Sequence, residues 1–127
     1  MRYVLATRKK ESMRYPTAGD YYNISGTIFI DVCKQKKEEY DLLIAFHELI
    51  EEFLTRKRGI REPDIMAYDK MFEEERDRGI HDEFAEPGED ERAPYFKEHA
   101  FAAKLERQLC EELGLDWETY NKELESA

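Results

Sequence analysis

Near residue 35 the chain changes its periodicity, and that switch constrains the fold more than any other feature. Before it, runs rich in β-branched and aromatic residues lie at Arg2–Leu5, Asp20–Ile24 and Thr27–Cys33, as strands require. Ser25-Gly26, between the last two runs, reads as a tight hairpin turn. Arg8 to Gly19 is polar, basic and broken by Pro16, so it reads as a loop. After the switch the spacing of apolar residues is helical. The expectation is an α+β fold, mostly α: a small N-terminal antiparallel hairpin or sheet in 1–35, then three to four packed helices in 37–127. At 127 residues the chain has length for one domain.

The first helix is expected over Glu38 to Arg58, with apolar residues at 42, 46, 49, 50 and 53, cations in its last turn and Gly59 as its stop. The second starts near Pro63 and runs towards Arg78 before Gly79; the third runs from near Pro94 to about Leu113 before Gly114. Asp116 reads as the N-cap of a short last helix carrying Trp117, Tyr120 and Leu124. Gly79 to Ala93 is an acidic loop with a turn signal at Glu86-Pro87-Gly88.

Charge excludes some functions. Thirty acidic against twenty basic residues leave a net charge of -10, which repels nucleic-acid phosphates and anionic lipid. Residues 73 to 92 alone hold ten acidic and three basic side chains. No apolar run approaches the roughly 20 residues of a membrane span, and Met1 to Lys10 lacks the apolar stretch of a secretory signal, so a cytoplasmic location is expected. Cys33 and Cys110 are isolated and read as free, buried thiols.

The informative residues are ionisable groups that the helical period places on apolar faces, where a charge is costly without a partner or a metal. Taking Leu42, Phe46, Ile50 and Phe53 as the centre of the first helix's stripe, His47 and Glu51 stand one above the other at its border. In the second helix Asp69 falls inside the face drawn by Ile65, Met66, Tyr68 and Phe72. In the third, His99 and Glu106 project from a face of Tyr95, Ala102, Ala103, Leu109, Cys110 and Leu113, and the two alanines leave room in front of them. His47, Glu51, Asp69, His99 and Glu106 together suit zinc, or manganese or iron, better than calcium. A buried hydrogen-bond network without metal accounts for the same residues. His81, in the acidic loop, could swing in as a further ligand or proton carrier, although an exposed loop histidine is more often inert.

The stretch Ala45 to Leu54 is a His-Glu-x-x-Glu helix and resembles the His-Glu-x-x-His helix of zincin-type metallopeptidases, with Glu51 in place of the second histidine. The resemblance implies His47 as a zinc ligand, Glu48 as general base, and Thr27–Val32 as the edge strand before the helix. The whole chain is also similar to a group of small phage and bacterial proteins, through His47-Glu48-Leu49-Ile50-Glu51, Ala67-Tyr68-Asp69, Glu86-Pro87-Gly88, Ala93-Pro94-Tyr95 and Glu98-His99-Ala100-Phe101-Ala102. That similarity implies no activity.

Two functions follow as expectations. One is a small metal-dependent hydrolase, acting on a peptide or on a phosphoester or nucleotide, in which Glu48 or Glu98 accepts the proton of a metal-bound water. The other is an acidic binding or inhibitor protein of phage type that mimics nucleic acid through loop 79–93 towards a protein partner, the polar or metal cluster then being structural.

Overall fold

The computed structural model describes residues 1–83 and 85–125. Strands β1 (Arg2–Arg8), β2 (Gly19–Ile24) and β3 (Thr27–Cys33) form one sheet, followed by helices α1 (Glu38–Lys57), α2 (Glu62–Asp77), α3 (Phe96–Glu112) and α4 (Trp117–Glu123). The fold is α+β and mostly α. No helix of the described residues is long and apolar enough to cross a membrane.

β2 and β3 make the expected antiparallel hairpin, with Ile24 opposite Thr27. Ser25 and Gly26 both take positive φ, 50° and 86°, and the Asn23 side chain accepts a hydrogen bond from the Gly26 N–H; such turns match the twist of the strands they join. The sheet as a whole is mixed, not antiparallel. Its order is β1-β3-β2, with β1 parallel to β3 in the register Arg2↔Thr27 to Arg8↔Cys33. The physical reason lies in β3, which is buried from Ile30 to Cys33 on both faces and therefore takes the centre, displacing β1 to the far edge. β3 is accordingly not the edge strand that the zincin resemblance implied.

α1 packs on the sheet and on α3, and its inner face is a broad arc of Tyr40, Leu43, Ile44, His47, Glu51 and Thr55. This overturns the expected stripe. Leu42 and Phe53 are 49% and 41% exposed, while His47 and Glu51 lie at the middle of the buried face. Two neighbours need covering, and the residues that meet α3 carry the polar cluster. Val32, Tyr40, Leu43, Ile44, Cys110 and Tyr120 form the main core, joined by Leu109 and Trp117. α2 is held more loosely, by Tyr68 and Phe72 against Ala93 and Tyr95. Cys33 and Cys110 are free and buried, as expected.

The acidic segment after α2 is fastened by its few cations. Arg76 donates to the carbonyls of Asp82, Glu83 and Ala85. Arg92 donates to Glu75 and Asp90 at once, at 2.6 and 2.8 Å, and these bonds hold both carboxyls down at about 2. A carboxyl lowered by folding stabilises the protein above its ordinary value, and this contribution is lost as pH falls through the folded one. Native protein is therefore expected to melt above Arg92→Gln at pH 7, with the gap closing between about pH 4 and pH 2; thermal melts across that range measure it.

Candidate metal centre

The site forms where α1 and α3 touch. Ala102, fully buried on α3, has the small side chain that lets the two helices approach, and His99 and Glu106 flank it on the same face. His47 directs its Nδ1–H to Glu106 Oε1 at 2.7 Å, and the Tyr120 hydroxyl on α4 donates to Glu106 Oε2 at 2.6 Å. With its outer nitrogen tied to that carboxylate, His47 turns Nε2 inward. There it lies 3.2 Å from His99 Nδ1 and 3.7 Å from Glu51 Oε1, and the latter two atoms are 2.8 Å apart. The outer nitrogen of His99 faces a carboxylate as well, 3.4 Å from Glu86 Oε2.

Three donor atoms on two helices thus converge on one point. A tetrahedral zinc with ligands at about 2.0–2.1 Å spaces them about 3.4 Å apart, a value inside the range of the three separations. Carboxylates on the outer nitrogens are the usual supports of metal-binding histidines, because they fix tautomer and ring orientation. His47, Glu51 and His99 meet the geometric condition for holding a cation; so do Glu86, Glu89 and His99 on the more exposed side.

The electrostatics reflect the same crowding. Burial alone would strip His47 of its charge, but hydrogen bonds to Glu106 and Glu51 outweigh it and push the imidazole well above its usual range. His99 behaves likewise, with burial opposed by Glu51 and Glu86, and is raised to about 9. Glu51 is buried too, yet the two histidines hold its carboxyl low. Glu48, next to it, is pushed up by burial and by the Glu51 charge. The cluster therefore favours positive charge held between carboxylates.

The other expected residues are placed differently. Glu48 lies on the β2 side of α1, packed against Gly19, where a Cβ would come within 2.8 Å of its Oε1. Glu106 stands behind His47 and not at the point of convergence. Asp69 accepts a hydrogen bond from the Tyr95 hydroxyl, and its carboxyl is raised to about 6, mainly by burial; it is outside the three-donor group. Glu98 turns away to Arg58, whose Nη1 donates to it at 2.7 Å. His81 stacks on Phe72 and pairs with Glu75.

Sequence reasoning missed Glu86, Gly88 and Tyr120 as parts of the site. Glu86 rides on the turn at Pro87–Glu89, which presses on the His99 ring so closely that a Cβ on Gly88 would sit 2.5 Å from it. The turn signal was legible; its contact with His99, eleven residues further along the chain, was not. Comparisons with protein-family models, with curated proteins and with solved structures return no match.

Gly88→Ala should force the turn off the His99 ring and cost about 1–3 kcal/mol, the usual toll of overpacking. Urea unfolding measures the loss; an unchanged midpoint would show that the turn does not bear on the ring.

Proposed function

We propose that the protein binds a divalent metal, zinc above manganese or iron, through His47, Glu51 and His99, and is a small metal-dependent hydrolase. The observation that carries this reading is the convergence of three donors from two helices, each histidine supported from behind by a carboxylate. Three protein ligands leave a tetrahedral ion one further position, the arrangement of catalytic zinc sites. A zinc ion so held lowers the pKa of a bound water towards 7 and polarises a carbonyl.

The chain's own residues have separate roles. Glu106 and Glu86 hold the two imidazoles in the metal-binding tautomer, and Tyr120 fixes Glu106. Glu48, one residue along from His47 but packed against Gly19 on the β2 side of α1, is the proton acceptor once its side chain swings towards the bound water. Among the described residues, the hydrogen-bond and ion-pair partners of His47, Glu51, Asp69 and His99 are carboxylates, histidines and tyrosine. None of these partners is a lysine or arginine that would meet the charges of a phosphate, so an uncharged carboxamide or ester suits the site better than a phosphoester.

The nucleic-acid-mimic reading is less well supported. Glu73, Glu75, Glu86 and Asp90, in the acidic stretch, are engaged by Arg76, Arg92 and the histidines instead of being presented freely.

Elemental analysis of untagged protein is expected to find about one zinc, manganese or iron per chain, lost in His47→Ala/His99→Ala; Glu106→Gln should weaken metal affinity about 10- to 100-fold. Glu48→Gln should keep the metal and lose hydrolysis of amide or ester substrates. Absence of metal, with unfolding indifferent to chelator, would reduce the cluster to a hydrogen-bond network. Bound metal with full turnover by Glu48→Gln would remove Glu48 from the mechanism.

A further inference from the structure

The outward face of α1 is apolar where a surface helix should be polar. Leu42 and Phe53 are 49% and 41% exposed, and Phe46, Leu49 and Ile50 between them are half-buried. Leu42, Phe46, Leu49 and Phe53 follow one another at intervals of four, three and four residues, the spacing of a helix-pairing seam. Phe101 on α3, 46% exposed, lies beside the seam. With Met1, Tyr3, Leu49, Ile50, Phe53 and Leu54 it lines an open apolar groove of about 360 Å³. Contiguous apolar surface of this kind marks an interaction face.

The charges at the two ends of the seam indicate what covers it. Glu38 and Glu39 lie at the start of α1, on the arc that carries the seam; Arg56 and Lys57 lie at its end. Among the described residues Glu38, Glu39 and Lys57 have no ion-pair partner within the chain. Positions equidistant from the middle of α1 are complementary. If a second α1 is laid on the first end for end, Leu42 meets Phe53 and Phe46 meets Leu49, and Glu39 meets Lys57, which shares its flank of the seam; each pairing occurs twice. That is the condition for a two-fold interface, in which one surface serves both partners. A parallel arrangement would set like charges side by side.

We propose that the protein forms an antiparallel homodimer through the outward face of α1, with Phe101 at its border. His47 and Glu51 lie on the opposite side of the helix, so the interface leaves the metal centre free and stands or falls independently of it. The proposal also accounts for the strongest apolar stripe in the sequence lying outside the monomer's core.

Sedimentation velocity of the full chain over a wide concentration range tests the proposal. The native chain is expected to reach twice the monomer mass, and Phe53→Glu to remain monomeric with unchanged helical circular dichroism. Glu39→Lys and Lys57→Glu should each raise the dimer dissociation constant about five- to tenfold, since every mismatch is counted twice. Glu39→Lys/Lys57→Glu together should restore it to within about twofold, by exchanging the ends of an intact pair. This exchange keeps the test decisive if Phe53→Glu fails to fold. A native chain that stays monomeric would overturn the proposal and leave the stripe to a different partner. A dimer insensitive to Phe53→Glu, or charge swaps that add instead of cancelling, would overturn it too.

Discussion

The structure depends on the need to pair charge inside the contact between α1 and α3. His47, Glu51, His99 and Glu106 are all at that contact, and none is tolerable there alone. Each is satisfied by another: His47 by Glu106, Glu106 by Tyr120, His99 by Glu51 and Glu86. The network joins α1, α3, α4 and the turn after α2 into one unit, so the site and the packing are the same set of interactions. A protein that used this contact only for stability could fill it with apolar side chains at similar or lower free energy. Keeping two imidazoles and two carboxylates there is understandable if their inward atoms hold something.

The acidic segment 73–92 takes a meaning from this arrangement that its composition did not suggest. It is tied down by Arg76 and Arg92, and the turn at its far end delivers Glu86 to His99 and lays Gly88 against the ring. The stretch that reads as an acidic loop lies against one side of the candidate centre through Glu86 and Gly88. Its net charge also biases the site against anionic ligands.

Much of the architecture was legible from local chemistry. The hairpin at Ser25-Gly26, the helix ends at Gly59, Gly79 and Gly114 and the Asp116 cap all follow from residues acting on their own neighbourhood, and the Asp116 side chain accepts from the Thr119 N–H as expected. His47, Glu51 and His99 were found because a charged group on an apolar face is anomalous wherever the face points. The direction of that face was not legible. α1 carries apolar residues around much of its circumference, so periodicity alone selected the Leu42–Phe53 stripe, whereas the arc holding Leu43, Ile44, His47 and Glu51 is the buried one. A second apolar face on one helix gives two answers to the same arithmetic.

By itself the sequence determined what is local: where strands give way to helices, where each helix starts and stops, and which ionisable residues would need partners if buried. Only the tertiary structure decided what is shared between distant segments. It put β3 at the centre of the sheet, with β1 parallel beside it, because β3 alone is buried on both faces. It separated Asp69 and Glu98 from the cluster by giving them Tyr95 and Arg58, and it brought Glu86 and Tyr120 in. Spacing along a helix determines which side chains share a face; which of several polar groups meet at one point depends on how three helices and a turn pack, and that is settled only when all of them close on the same core.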